Sequence, residues 1–303
     1  MTDRPITDHQ VPLITYDLTP PDGHNVFRER FGAMSDEDWC HLLARSVTEP
    51  VIDGVQFPAF PNDDMQRHVH GSFGANAVAE AADFFRFVKA NTYRTAPAAL
   101  GKRVLDFGSG WGRTIRPFMR DFEFADLYGF EPDFLFCTLA RSLNPYVAFL
   151  SDASTPTGRL PQQFFDLACS WSVFSHLSPD SATLWLQELA RVLVPGGSLV
   201  FTTWGARFLQ RLQDAAAARE RGQRIDWYST ICLDAAGSIE QRILDYDRGE
   251  FVWFTSGQSL LYGEAFLSEA ALTRLIIRHQ LPFALQAVDT SSLGQDAFVL
   301  RRL

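Results

Sequence analysis

Three glycines at alternate positions, directly after a run of apolar residues, constrain this chain more than any other feature. The segment Val104–Arg113 reads VLDFGSGWGR and places Gly108, Gly110 and Gly112 in the turn. Glycines let the backbone turn sharply from a strand into a helix, and they let it approach a ligand where a Cβ would block it. The pattern predicts a strand, a tight turn and a helix that together seat a nucleotide cofactor.

The spacing of the glycines bears on which nucleotide binds. A dinucleotide-binding loop places its third glycine three residues after the second, whereas Gly112 follows Gly110 by two. This weakens the interpretation of the chain as an NAD-dependent oxidoreductase, which stays open as an alternative.

A second predicted strand ends in an acid, and the number of residues between the glycine loop and this acid indicates what the acid binds. The segment Asp126–Asp133 reads DLYGFEPD, and Glu131 follows Gly108 by 23 residues. That is close to the roughly 20 residues typical of the acid that binds a ribose in a βαβ unit. A carboxylate at this position accepts hydrogen bonds from both ribose hydroxyls and repels a 2′-phosphate, so the sequence predicts an adenosine-bearing ligand other than NADP.

Three more strand patterns follow in order. A third strand over 147–150 ends just before Asp152, and a fourth starts at Phe164 and runs into a loop that carries His176. Ser178 then fits an N-cap with proline in the first helical turn. The helix that follows has one apolar face and stops at Pro195-Gly-Gly, where a fifth strand begins.

These motifs resemble, in their order, those of class I S-adenosylmethionine-dependent methyltransferases over about residues 100–205, and more loosely at the end of the chain. The resemblance implies an α/β fold with a Rossmann-like sheet of seven strands and helices on both faces. The expected strand order is 3-2-1-4-5-7-6, with strand 7 antiparallel. Strand 6 is expected over 283–288 and strand 7 over 297–300.

The resemblance also implies S-adenosyl-L-methionine as cofactor and a set of residues that bind it. Asp106 would lie beside the methionine moiety, Asp152 would accept from the adenine amino group, and Trp111 would stack on the donor or wall its pocket. The cofactor-binding residues predicted in this way are Asp106, Gly108, Ser109, Gly110, Trp111, Glu131, Pro132, Asp152, Ala153 and Ser170.

The pattern outside this core predicts two additions. Residues 1 to about 65 are rich in proline and turn-forming pairs, and residues 1–75 are expected to form an N-terminal extension or lid. Residues 76–303 would form the methyltransferase domain, with an insertion at about 206–262 that contains helices and a strand. Loops at the carboxyl edge of a parallel sheet line the ligand crevice, so we expect the insertion to cap the acceptor; a packing role is the alternative.

Methyl transfer from a sulfonium needs alignment more than acid–base chemistry, but a hydroxyl or amine acceptor benefits from a base. His176 is the first candidate, because its loop would lie near the methyl group; a structural histidine is the alternative. His70 and Tyr262 are weaker candidates. Arg113 would bind an anionic group of the substrate or else form a surface ion pair.

Composition narrows the class of acceptor. The 303 residues carry a formal net charge of −9 and a pI near 5.2, with no cluster of Lys and Arg, which argues against nucleic acid as a partner. The four cysteines have no metal-ligand or disulfide spacing. No secretory signal or bilayer-spanning stretch is recognisable, so a cytoplasmic location is expected, and a homodimer is possible.

The sequence therefore predicts an enzyme that transfers a methyl group to a small-molecule or glycan-like acceptor, with oxygen as the expected atom of attachment. A non-catalytic S-adenosylmethionine-binding partner subunit is a second alternative, because a fold does not fix a function.

Overall fold

The computed structural model describes residues 23–93, 102–255 and 261–303. The N-terminal part is mostly helical: α1 (Val26–Phe31), α2 (Asp36–Arg45), the short strands β1 (Val51–Ile52) and β2 (Val55–Gln56), α3 (Asp63–His70) and α4 (Gly74–Thr92). The first core strands and helices are β3 (Val104–Phe107), β4 (Leu127–Phe130), α5 (Phe134–Leu143), β5 (Ala148–Leu150), β6 (Phe165–Ser170), α6 (Pro179–Val192) and β7 (Leu193–Thr203).

The remaining elements complete the fold after β7. They are α7 (Ala206–Glu220), α8 (Trp227–Ala236), α9 (Ile239–Asp247), β8 (Val252–Phe254), β9 (Glu264–Phe266), α10 (Glu269–Arg278), β10 (Phe283–Asp289) and β11 (Asp296–Arg302). None of the described helices combines the length and the apolar character needed to cross a bilayer.

Seven strands form one sheet in the order β10-β11-β7-β6-β3-β4-β5. Strands β3 to β7 pair in parallel, whereas β11 pairs antiparallel with both β7 and β10. Counted along the core, this is the order 3-2-1-4-5-7-6 with strand 7 antiparallel. The predicted fold class is confirmed.

The central strands are apolar on both faces because each face is covered. One face packs on the N-terminal helices and α4, through side chains such as Phe27, Trp39 and Phe85. The other face packs on α6 and α10, where Trp185 and Leu272 are buried. A parallel sheet that is covered on both sides leaves its carboxyl edge as the place for a ligand.

The prediction of an α-helix directly after the glycines is wrong. The structure has turns over 111–115 and then a short 3-10 helix over Arg116–Arg120. Gly112 has φ +81°, Pro117 has no N–H to donate, and the Arg116 side chain donates to the Gly112 carbonyl oxygen at 3.2 Å. These three features prevent regular i to i−4 hydrogen bonding.

Buried charges attach the N-terminal helices to this 3-10 helix. Arg120 and Asp121 are 2% and 0% exposed, and the Nε of Arg120 lies 2.8 Å from the Oδ1 of Asp121. Lys89 of α4 and Asp36 of α2 complete the network, with Lys89 Nζ 2.9 Å from Asp121 Oδ2 and 2.6 Å from Asp36 Oδ1. Each charge in the network therefore has an opposite charge beside it.

Residues after β7 form a smaller apolar cluster of their own. It includes Phe208 and Leu212 of α7, Cys232 of α8 and Phe266 of β9. Strands β8 and β9 pair antiparallel beside it. The helices and the added strand predicted in this region are present in the structure.

The buried network provides a test of the fold. Replacing Asp121 with Ala leaves Arg120 and Lys89 to share one carboxylate, so we expect unfolding free energy to fall by about 3–5 kcal/mol in urea titrations. Asp83→Ala is the control because Asp83 pairs with Arg86 on the exposed surface, and it should cost about 0.5 kcal/mol or less. A similar loss of unfolding free energy in both variants would contradict a larger contribution of the buried network to stability.

Candidate active site

The glycine loop is attached to the carboxyl end of β4 by two backbone bonds. The N–H groups of Gly108 and Ser109 both donate to the Phe130 carbonyl oxygen, at 2.8 and 2.9 Å. The loop therefore lies across the carboxyl ends of β3 and β4, where a parallel sheet binds its ligands.

The three glycines have different reasons for lacking a side chain. A Cβ on Gly112 would lie 2.7 Å from Phe149 Cζ, and one on Gly108 would lie 2.2 Å from a methyl of Val173. Gly110 has φ +53°, and none of the described atoms lies within 4 Å of the point that its Cβ would occupy, so its backbone lies open. Gly110 thus leaves room for close approach by a ligand.

Glu131 follows β4 and faces this loop. Its Oε2 accepts from the Gly110 N–H at 2.8 Å and its Oε1 accepts from the Asp133 N–H at 2.9 Å. Burial raises the pKa of Glu131, while these two bonds favour its charged form. The carboxylate is held in a defined orientation beside Gly110, as a ribose-binding acid requires.

Several buried polar atoms around the loop have no hydrogen-bond partner among the described residues. They are Asp106 Oδ2 at the end of β3, Ser109 Oγ in the loop and Ser170 Oγ at the end of β6. Unpartnered buried polar groups are costly, so native proteins rarely keep them without a ligand or water. Together with open Gly110 and oriented Glu131, they fit a polar, adenosine-bearing ligand such as S-adenosylmethionine.

Burial raises the pKa of Asp106 to about 8; the nearby Arg113 charge opposes the shift and Glu131 adds to it. A carboxyl that is held in a dry site ionises more easily once a cation approaches. Asp106 therefore has the properties expected of an acid beside a cationic methionine moiety.

The other predicted donor-site residues lie around this centre with different exposure. Asp152 follows β5, is 8% exposed, and accepts from the hydroxyl of Thr157. Pro132 and Ala153 are exposed at the rim. Trp111 is fully buried, with its ring 5.8 Å from that of Phe60, so it packs into the interior.

Arg113 forms an ion pair, although a buried one instead of the expected surface pair. It is 3% exposed, and its Nη1 lies 2.7 Å from the Oε2 of Glu80 and donates to the Ala77 carbonyl oxygen at 3.1 Å. It lies in the turns before the 3-10 helix and not at a helix start. The guanidinium thus binds α4, and this contact favours the ion-pair alternative over binding of an anionic substrate group.

Two of the predicted catalytic residues lie together. The imidazole of His176 stacks on the ring of Tyr262, with centroids 4.7 Å apart and planes 13° from parallel. Backbone bonds hold the two segments side by side: Gly263 N–H donates to the His176 carbonyl at 2.7 Å, and Ala265 N–H donates to that of Ser175 at 2.8 Å. His70 ends α3, but its side chain lies outside the described part of the chain.

The ring nitrogens of His176 have distinct environments. Nδ1 lies 2.8 Å from the Gly263 carbonyl oxygen, which can only accept a hydrogen bond. Nδ1 therefore carries the proton, which leaves the lone pair on Nε2. Desolvation, followed by the charges of Glu264 and Glu131, raises the pKa of Tyr262 to about 12, so its hydroxyl is a donor and not a base at neutral pH.

Sequence reasoning missed several polar residues on this side. Glu264 follows the segment that contains Tyr262, and its Oε2 lies 3.7 Å from His176 Nδ1. Gln295 comes from the turn before β11, is 5% exposed, and donates from Nε2 to Ser172 Oγ at 2.7 Å. Ser172 has φ +61°, a strained value for a non-glycine residue. Of these residues, only Glu264 was indicated by the sequence, because it lies two positions after the candidate Tyr262.

Comparisons with known proteins indicate the same class of enzyme as the geometry of the site. A family model described as a methyltransferase domain matches residues 80–235, which is just over half of the chain. The chain belongs to this methyltransferase family. It is an S-adenosylmethionine-dependent methyltransferase, so the predicted enzyme class and cofactor are confirmed, and the oxidoreductase alternative is set aside.

One curated relative is a tRNA(Thr) (cytosine(32)-N(3))-methyltransferase from Saccharomyces cerevisiae. It is 28% identical over 121 residues, which are 36% of this methyltransferase and 19% of the relative. The chain therefore spans about a fifth of the length of that relative.

Solved structures with similar folds include DesVI from Streptomyces venezuelae, with a TM-score of 0.49, 15% identity, and coverage of 80% of this chain and 100% of the other. Another is the magnesium protoporphyrin IX methyltransferase of Synechocystis PCC 6803, solved with bound S-adenosylhomocysteine. It has a TM-score of 0.47 and 12% identity, and it covers 79% and 94% of the two chains.

The assignment of Glu131 to the donor can be measured. Glu131→Ala should weaken S-adenosylmethionine binding by about 1–3 kcal/mol in isothermal titration, because charge-assisted hydrogen bonds are lost. Glu123→Ala is a control, since Glu123 pairs with Arg28 away from the loop and should bind normally. Unchanged affinity in Glu131→Ala would remove this residue from the site.

Asp106 makes the stability of the ligand-free protein depend on pH. Its folded pKa of about 8 exceeds the ordinary 3.8, so the folded state keeps a proton that the unfolded chain loses. Stability from this group is complete below about pH 4 and is lost as the pH rises towards about 8. In urea titrations, the unfolding free energy of Asp106→Asn should rise relative to that of the wild type over that pH range. Parallel curves of unfolding free energy against pH would contradict the raised pKa of Asp106.

Proposed function

We propose that this methyltransferase transfers the methyl group of S-adenosylmethionine to a hydroxyl oxygen of a small or sugar-like acceptor, with His176 as the general base. The observation that carries the proposal is the bond from His176 Nδ1 to the Gly263 carbonyl oxygen at 2.8 Å. This bond directs the basic lone pair to Nε2 and fixes the plane of the ring. A hydroxyl acceptor is a weak nucleophile and gains most from such a base.

The donor supplies an electrophilic methyl group that is already activated by its positive sulfur. The residues of the chain orient it: Glu131 and Asp152 would hold the adenosine end, and Asp106 with Gly108, Ser109, Gly110 and Ser170 would hold the methionine end. His176 would then accept the proton of the acceptor hydroxyl as the oxygen bonds to the methyl carbon and the carbon–sulfur bond breaks, with S-adenosylhomocysteine as the leaving group. Gly263 and Tyr262 keep the imidazole in place during this transfer.

We also propose that the insertion at 206–262 caps the acceptor and that residues 1–75 act as a lid or supporting extension. Support for the cap comes from the end of the insertion, where Tyr262 contacts His176 and Leu177 forms a β-bridge with Tyr262. Support for the extension comes from the Arg116 guanidinium, which donates to the Pro58 and Ala59 carbonyl oxygens at 3.0 and 2.5 Å.

The net charge of the chain supports a small acceptor over a nucleic acid. The chain has a net charge of −9, and the arginines after the glycine loop are bound internally, so the cations that phosphate backbones need are scarce. Methylation of tRNA, which the yeast relative carries in its name, is the competing outcome.

A transfer assay tests the proposal. S-adenosylmethionine with a tritiated methyl group would be incubated with the protein and either a small-metabolite fraction or total tRNA. Label should enter the metabolite fraction, and mass spectrometry should show a methyl ether. Label in tRNA alone would contradict a small acceptor, and a methylated nitrogen would contradict the oxygen assignment.

Variants test the base within the same assay. His176→Ala should lower the transfer rate by about 10²–10⁴ at unchanged donor affinity, because only proton transfer is lost. His279→Ala is the matched control, since His279 lies exposed after α10. A His176→Ala protein that transfers at the normal rate would show that this histidine is structural.

A further inference from the structure

Glu264, the first residue of β9, is a largely buried carboxylate without a permanent cation beside it. Its side chain is 16% exposed, and none of the lysines and arginines in the described ranges forms an ion pair with it. Among the described residues, the basic side chain beside it is that of His176, with 3.7 Å between Nδ1 and Oε2. The proton of Nδ1 is directed to Gly263, so it does not neutralise the carboxylate.

Two neutral donors hold the carboxylate in place. The Nε1–H of Trp204 and the hydroxyl of Tyr228 donate to Oε2, at 2.8 and 2.7 Å, and no described residue donates to Oε1. A glutamine amide oxygen would accept the same two bonds without the cost of burying a charge. Anchoring of Trp204 and Tyr228 therefore does not explain why the residue is an acid.

Aromatic side chains lie on one side of this carboxylate, and we refer to Trp204, Phe208, Tyr228 and Tyr262 as the aromatic pocket. The ring of Phe208 lies 4.3 Å from that of Trp204 and 5.8 Å from that of Tyr228, measured between centroids. Tyr262 keeps 56% of its surface exposed, and its ring stacks on that of His176. Aromatic faces carry negative partial charge and attract cations.

Two carboxylates, those of Glu264 and Glu131, dominate the electrostatics of the pocket, and His176, when protonated, adds an opposing charge beside Glu264. Burial raises the pKa of Glu264, and the negative charges of both Glu264 and Glu131 act on Tyr262. A positively charged ligand group would offset the cost of burying the Glu264 charge by pairing with its carboxylate, whereas a phosphate would be repelled.

We propose that Glu264 and the aromatic pocket bind a protonated amino group of the acceptor. The inference rests on the proposed function in one respect, because it takes the space beside His176 to be the acceptor site. It narrows the acceptor class to small hydroxyl compounds that carry an ammonium group, such as amino sugars, and Glu264 becomes a specificity residue.

The test compares two sugars that differ in charge. D-glucosamine and N-acetyl-D-glucosamine would each be titrated into the full-length protein saturated with S-adenosylhomocysteine, near pH 7. The indole N–H resonance of Trp204 in ¹H–¹⁵N spectra reports binding directly, because this group donates to Glu264. Wild type should bind glucosamine about tenfold more tightly than its N-acetyl form, since a charge-assisted hydrogen bond is made.

Substitutions separate the charge from the packing. E264Q keeps the shape and the two hydrogen bonds, and it should abolish the preference for glucosamine without lowering the melting temperature. Glu250→Gln is the control, because Glu250 lies exposed in the same insertion and pairs with Arg274; it should keep the preference. Should E264Q fail to fold, Tyr262→Ala removes one ring of the pocket and should weaken glucosamine binding several-fold.

The proposal is overturned if the two sugars bind equally, if E264Q keeps the preference, or if glucosamine shows no saturable binding up to about 0.1 M. These results do not depend on methyl transfer. The proposed function fails separately, when His176→Ala transfers normally or the label goes to tRNA, whatever the sugars do.

Discussion

The Phe130 carbonyl oxygen accepts the N–H groups of both Gly108 and Ser109, and the geometry of the donor site follows from this shared acceptor. Because one carbonyl at the end of β4 holds the loop that leaves β3, the loop must cross between the two strands. Gly110 then comes within 2.8 Å of the Glu131 carboxylate. Glycine is required in the loop because Phe149 and Val173 occupy the space of two potential side chains.

The acceptor side depends on a second set of backbone bonds. The chain that returns from the insertion runs beside the loop after β6, and Gly263 both donates to the His176 carbonyl and accepts from its ring. This exchange makes the imidazole part of a small β-like pairing. The segment that orients the imidazole of His176 also carries Tyr262 and Glu264, so the proposed base and the proposed acceptor-binding acid depend on one structural element.

Three arginines after the glycine loop carry their charge inside the fold. Arg113, Arg116 and Arg120 follow the glycine loop closely in sequence, and each is 3% exposed or less. They bind α4, the 58–59 segment and α2, which attaches the N-terminal helices to the sheet. Burial lowers the pKa of Arg116 to about 9, as expected for a cation that bonds only to backbone carbonyls. Among the described residues, none of these arginines forms an ion pair with Asp106, Glu131 or Glu264.

The sequence by itself determined the family, because apolar runs, glycine spacing and the distance from Gly108 to Glu131 are local patterns. The resemblance to that family supplied the strand order, and the same patterns predict the donor-side acids. Tertiary structure alone decided the rest. It replaced the expected helix after the glycines with turns, because Gly112 and Pro117 break the hydrogen-bond ladder. It also buried Arg113 against Glu80 and brought Glu264 and Gln295 to the site. Such contacts join residues distant in the chain, and no local spacing encodes which distant side chain fills a given space.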